Sequence, residues 1–202
     1  MDIEKIVWWI SVAWLPISLV IITFLVGSNF RLKSQNTTDS TTGLLNKRGF
    51  DRAVLHAVQR TQRDCAPITL LLLDLNWFKQ YNDTRGHKDG DLLLRGFGET
   101  LRGFFRTTDV VSRWGGDEFA VLLHNVGSEV GQQIIKTKLV PLLEGFFSSF
   151  GVAASIGTAS ASGRPNEISA VDQVNDLFRR ADEALFEAKK RKGPEHFPVS
   201  SL

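Results

Sequence analysis

Apolar and polar positions follow three different rhythms along the chain. From Ile6 to Phe30 no Asp, Glu, Lys, Arg or His interrupts the run, and Val7 to Val26 is almost wholly apolar. About 20 such residues in a helix cross a bilayer core, so one membrane-spanning helix is expected within residues 1–30. Trp8, Trp9 and Trp14 stand toward its outer end, where indoles favour the interface, and Pro16 is tolerable inside such a helix. Ser34–Thr42 is rich in Ser and Thr and reads as part of a short polar linker, residues 31–42. Beyond it the rhythm becomes helical: Phe50, Ala53, Val54, Ala57 and Val58 recur behind Asn46, a good capping residue. Ile68–Leu73 is continuously apolar and follows Pro67, which marks a buried strand. Leu93, Phe97, Leu101 and Phe104 predict a second helix. Asp109–Trp114 and Phe119–Leu123 predict two strands joined through a Gly-Gly turn. A helix over about Ser128–Phe147, a strand over Val152–Thr158 and a helix striped by Val171, Val174, Phe178, Ala181 and Leu185 complete the pattern.

Counted from the first strand, the order is β-α-β-β-α-β, so residues 43–202 are expected to form an α+β, ferredoxin-like domain with an antiparallel central sheet. A right-handed crossover makes the first two strands parallel, with the third lying antiparallel between them. The end of the first strand and the turn between the second and third then share one end of the sheet. Asp74 stands at the first place and Asp117 at the second. Two carboxylates on rigid strand ends form a minimal Mg²⁺ site, because Mg²⁺ takes one or two carboxylates together with waters and substrate phosphates.

Composition narrows the reading without redirecting it. With 43% hydrophobic and 23% charged residues the chain has globular composition, and a net charge of +2 offers no polybasic surface for nucleic acid. The lone Cys65 excludes a disulfide framework and a Cys-based zinc site. Asp2, Glu4 and Lys5 precede the apolar run, whereas Arg31, Lys33, Lys47 and Arg48 follow it, which predicts an outside N-terminus and a cytoplasmic remainder. A cleaved signal peptide would have a basic start and a shorter apolar stretch.

Several motifs in register resemble the GGDEF family of diguanylate cyclases, from about Asp39 to Lys192. The signature stands as Arg113-Trp114-Gly115-Gly116-Asp117-Glu118-Phe119. Asp39-Ser-Thr-Thr-Gly43-Leu-Leu-Asn46-Lys-Arg48-Gly-Phe50 is similar to the family's opening motif D-x-L-T-G-L-x-N-R-R-x-F, with Thr41 in place of Leu. Asp74-Leu-Asn76-Trp-Phe78-Lys79-Gln-Tyr-Asn82-Asp83, then Gly86-His87 and Gly90-Asp91, is similar to its substrate motif, with Asn76 where Asp is more usual. Ser155-Ile156-Gly157 and Asp182-Glu-Ala184-Leu-Phe-Glu-Ala188-Lys189 follow, but the end of the chain departs from the family's A-K-x-x-G-R-N.

The resemblance implies condensation of two GTP into cyclic di-GMP, with release of two pyrophosphates, between two domains of a homodimer. It implies a Mg²⁺ (or Mn²⁺) ion held by Asp74, the Leu75 carbonyl and Asp117. Asn82 and Asp91 are then expected to read guanine beside His87 and Phe78, while Lys79 and Lys189 meet the triphosphate. Lys79 is also expected to stabilise the transition state, and Asp117 or Glu118 to deprotonate the attacking 3′-hydroxyl, the family favouring Asp117. Arg106-Thr-Thr-Asp109 matches the family's inhibitory product site, with Arg179 or Arg180 as candidates to complete it. The implied location is the inner membrane of a bacterium, single-pass. Three rivals are a catalytically silent membrane receptor for cyclic di-GMP, a related cyclase making a mixed cyclic dinucleotide or a cyclic mononucleotide, and a structural membrane adaptor.

Overall fold

A computed structural model describes residues 36–162 and 168–191 of the chain. The expected membrane helix of residues 1–30 lies outside the described residues; among the described ones no helix is long and apolar enough to cross a membrane.

The chain divides into two units, and the second begins at Thr37. Helix α1 (Lys47–Asp64) starts behind Asn46, whose side-chain oxygen accepts from Gly49 N. It is followed by β1 (Pro67–Asn76), α2 (Phe78–Arg85), α3 (His87–Phe104), β2 (Val110–Gly115) and β3 (Glu118–His124). The next stretch runs as α4 (Ser128–Ile134), one π-helical turn (Ile135–Leu139) and α5 (Val140–Phe147), before β4 (Ala153–Ser162) and α6 (Ala170–Arg191).

The four strands lie in the order β2-β3-β1-β4, every neighbouring pair antiparallel. As the crossover argument requires, β3 separates β1 from β2. β1 carries apolar residues on both faces from Leu70 to Leu73 because both faces of the sheet are covered. Leu71, Leu73 and Leu75 join Leu93, Leu94, Phe97, Leu101, Leu139 and Phe147 under the crossover helices. Ile68 and Leu70 join Phe50, Val54, Val58, Leu177 and Ala181 under α1 and α6. Each fully buried Leu or Phe contributes about 1.5–3 kcal/mol of transfer free energy. Edge-to-face contacts of Phe50 with Trp114 and Phe178 tie α1, β2 and α6 together, and Lys47 Nζ sits 3.2 Å over the Trp114 ring.

Three local expectations are corrected. The polar stretch read as linker up to Thr42 is folded from Thr37 onward. Thr42 is buried, and Asp39 accepts from Thr42 N at 2.9 Å and Thr42 Oγ1 at 2.8 Å. Val171 is exposed, whereas the rest of the expected α6 stripe faces the core: Ala181 and Leu185 are buried, Val174 and Phe178 pack against it half-buried, and Leu177 joins them. The single helix expected before β2 is two, because Gly86 (φ 88°) breaks the chain between α2 and α3.

Candidate active site

Side chains of β1 alternate, so Asp74 follows Ile68, Leu70 and Leu72 toward the face covered by α1 and α6. There the last turn of α6 meets it: Lys189 Nζ lies 2.7 Å from Asp74 Oδ2. Across the sheet Asp74 pairs with Glu118 of β3 and Ser155 of β4. The β2–β3 turn is Gly116-Asp117, since Gly115 closes β2, and Gly116 holds φ 53°. Leu75 N donates to Asp117 O at 3.2 Å, which joins the end of β1 to that turn. The two carboxylates expected to converge therefore do so.

The turn is held from a second side by a residue whose part the sequence reading did not identify. Arg113 donates from Nε and Nη2 to the Gly116 carbonyl, at 2.9 and 2.7 Å, and from Nη1 to Asp39 Oδ1 at 3.2 Å. Its side chain is 14% exposed. Burial pushes the Asp39 carboxyl up, but hydrogen bonds from Thr42 and the Arg113 guanidinium outweigh it and hold Asp39 below the usual carboxylate range. Its location in the signature pointed to the turn, but not to a clamp on Gly116.

Asp74, Leu75, Phe78, Lys79, Asp117 and Lys189 line a cleft of about 360 Å³, together with Asn76, Trp77 and Gln80. A second cleft of about 400 Å³ is lined by Asn82, His87, Asp91 and Arg113 and shares Phe78, Lys79 and Asp117 with the first. Trp77 in the left-handed region (φ 64°) turns the chain sharply out of β1 into α2, which brings Phe78, Lys79 and Asn82 beside the carboxylates. Gly90 packs so closely on Asn82 that a Cβ there would come 1.8 Å from Asn82 Oδ1. That Oδ1 is buried and has no hydrogen-bond partner among the described residues. His87 and Asp91 are exposed on the first turns of α3.

Charge in the first cleft suits a cation. Burial raises Asp117 above the usual carboxylate range and Asp74 raises it further, against Lys189 and Arg113. Burial raises Glu118 as well, with Asp74, Asp117 and Asp182 adding repulsion and Lys189 opposing. Asp74, Asp117 and the Leu75 carbonyl offer only oxygen donors, the set that Mg²⁺ and Mn²⁺ accept. Among the described residues no three His, Cys, Asp or Glu side chains cluster as a metal site, and a site of two carboxylates and a carbonyl needs no third. Asn76 points to this region without charge, paired with Ser155 Oγ through Nδ2 at 3.0 Å and Oδ1 at 3.1 Å.

The second motif lies at the opposite end of the sheet, before β2. Asp109 precedes that strand, and its carboxylate caps a turn: Oδ2 accepts from Arg106 N at 3.0 Å and Oδ1 from His124 N at 3.2 Å. Arg106 is exposed and borders two clefts, one shared with Asp109 and Lys138 and one with Arg60 and Thr108. Within one chain Arg179 and Arg180 are engaged away from Arg106 and Asp109. They bond Asp176, Glu183 and the Ser160 carbonyl of β4, and β4 lies three strand spacings, roughly 14 Å, from β2.

Residues 36–194 match the family described as diguanylate cyclase, GGDEF domain. The diguanylate cyclase DgcS of Shewanella oneidensis is 35% identical over 158 residues, covering 78% of this chain and 51% of that protein. DgcP of Pseudomonas aeruginosa is 35% identical over 163 residues, covering 81% of this chain and 24% of the relative. The chain thus spans about half or less of the length of these curated relatives. A solved microbial GGDEF domain, described in an interaction with bis-(3′,5′)-cyclic di-GMP, superposes with a TM-score of 0.66 at 33% identity. That match covers 81% of this chain and 97% of the other.

Proposed function

We propose that this chain, a member of the GGDEF family of diguanylate cyclases, joins two GTP molecules into cyclic di-GMP and releases two pyrophosphates. The observation that carries this reading is the meeting of two clefts at Phe78, Lys79 and Asp117, one lined by the carboxylates and one by Asn82, His87 and Asp91. Guanine presents N1–H and 2-amino donors to the Asp91 carboxylate, and adenine lacks that pair. Leaving polar groups of the site unpaired is what rejects the wrong base.

Asp74, Asp117 and the Leu75 carbonyl would hold Mg²⁺ or Mn²⁺, which supplies positive charge to the phosphoryl oxygens. Lys79 is exposed at the junction of the clefts and reaches toward the charge that develops on the leaving pyrophosphate. Asp117 or Glu118 accepts the 3′-hydroxyl proton; burial and repulsion from Asp74 raise the proton affinity of both above that of an ordinary carboxylate, which favours a proton acceptor. One cleft pair accommodates one nucleotide, whereas the reaction needs a 3′-oxygen in line with the α-phosphate of another. Two copies facing each other across a two-fold axis supply both.

The charge-free run from Ile6 to Phe30, followed by Arg31 and Lys33, supports a single-pass anchor in a bacterial inner membrane with the catalytic domain in the cytoplasm. Product feedback is assigned to Arg106 and Asp109. Backbone amides already hold the Asp109 carboxylate, which leaves the Arg106 guanidinium as the group that meets guanine or phosphate.

The deciding experiment incubates the full chain with GTP and Mg²⁺ and identifies products by chromatography and mass. Wild type is expected to yield cyclic di-GMP, and Asp117→Ala to lose about 10³-fold in rate with an unchanged circular dichroism spectrum. Retained turnover removes Asp117 from the mechanism.

A further inference from the structure

The contact between Lys189 and Asp74 bears on how the site loads. Asp74 Oδ2 belongs to the carboxylate assigned to the metal, and Lys189 Nζ already stands 2.7 Å from it. Mg²⁺ binds such an oxygen at about 2.1 Å. An ammonium seated on the same oxygen competes for the same negative charge, and bringing both cations onto it costs Coulomb repulsion. We propose that Lys189 is the counter-ion that the metal displaces from Asp74, after which the freed ammonium turns to the triphosphate.

The surroundings allow that exchange. Lys189 is 41% exposed on its side chain, whereas the Asp74 side chain is 13% exposed, so the lysine is the partner with room to move. The backbone beneath it stays in place: Leu185, one turn earlier, is buried, and Gly157 packs against the Ala181 carbonyl and Leu185 amide. A four-carbon stem on a fixed helix turn therefore moves the charge without moving the helix. Metal and nucleotide then favour one another. The metal releases Lys189 for phosphate, and phosphate draws Lys189 away from Asp74, a coupling that is reciprocal by linkage.

The proposal rests on the metal site assigned above, and its test separates the two. Mn²⁺ is titrated into the nucleotide-free full chain in detergent, with free ion followed by electron paramagnetic resonance. Lys189→Met is expected to bind Mn²⁺ about threefold more tightly than wild type, the scale of an exposed ion pair. Lys189→Gln repeats the test with a polar side chain, and Lys189→Arg, which keeps the charge, is expected to match wild type. Lys79→Met, which removes a charge from the same cleft, is expected to tighten binding less than Lys189→Met. Equal tightening in the two Met variants, or none in Lys189→Met, overturns the displacement. If Mn²⁺ fails to bind wild type, or Asp117→Asn leaves binding intact, the metal site itself is wrong and the proposal falls with it.

Discussion

Asn82 and Gly90 show how a small side chain serves a binding cleft from behind. A Cβ on Gly90 would meet Asn82 Oδ1 and Cγ and the far edge of Phe78, all ends of side chains and not backbone. Gly90→Ala is therefore expected to keep the domain folded, since Ala favours a helix by about 0.5–1 kcal/mol over Gly, while it pushes Asn82 out of place. Steady-state kinetics should show KM for GTP rising about tenfold, with the thermal midpoint held or raised; a fallen midpoint with unchanged KM would reject the argument. Asp39 gives a pH-dependent case. Its carboxyl lies lower in the folded chain than in the unfolded one, so its contribution to stability is complete above the usual carboxylate value of about 3.9 and is lost as pH falls through the folded value. Thermal unfolding at a series of pH values should show a steeper acid loss in wild type than in Asp39→Asn. Chemistry-bearing side chains such as Asp74, Asp117, Asn82 and Asp91 were legible as residue types at known spacings. The Lys189–Asp74 pair and the Arg113 clamp were not, because each depends on where a long side chain ends after two distant segments have packed.

Elements were legible where one face is buried and obscure where the backbone bends. The period-two and helical patterns locate every strand and long helix, because the two cores bury alternate residues of β1 and single stripes of α1, α3 and α6. The break at Gly86 and the π turn at Ile135–Leu139 escape such reading, since neither interrupts the apolar spacing. The approach of α6 to β4 is equally silent in sequence, yet it has a sharp signature in mutation. A Cβ on Gly157 would lie 2.2 Å from the Ala181 carbonyl and 2.3 Å from the Leu185 amide, both backbone atoms of a helix that cannot step aside alone. Gly157→Ala should cost about 3 kcal/mol or more, seen as a lower denaturant midpoint. An unaltered midpoint would mean that α6 does not rest on β4 as described.

At the scale of the molecule, strand order was legible because the handedness of crossovers leaves few alternatives for β-α-β-β-α-β. The layer added by α1 and α6 was not, because nothing in the linear order says which face a flanking helix covers. The proposed division of one nucleotide per domain predicts a rate law. A fragment of residues 37–202 should show specific activity that rises with protein concentration, measured by product formation alongside sedimentation. A constant specific activity from a proven monomer would contradict the two-copy arrangement. The tie from Asp39 through Arg113 to Gly116 has a consequence for control. The first folded turn of this unit and the turn bearing Asp117 are one residue's reach apart, so a displacement of Asp39 would be felt at Gly116 without crossing the hydrophobic interior.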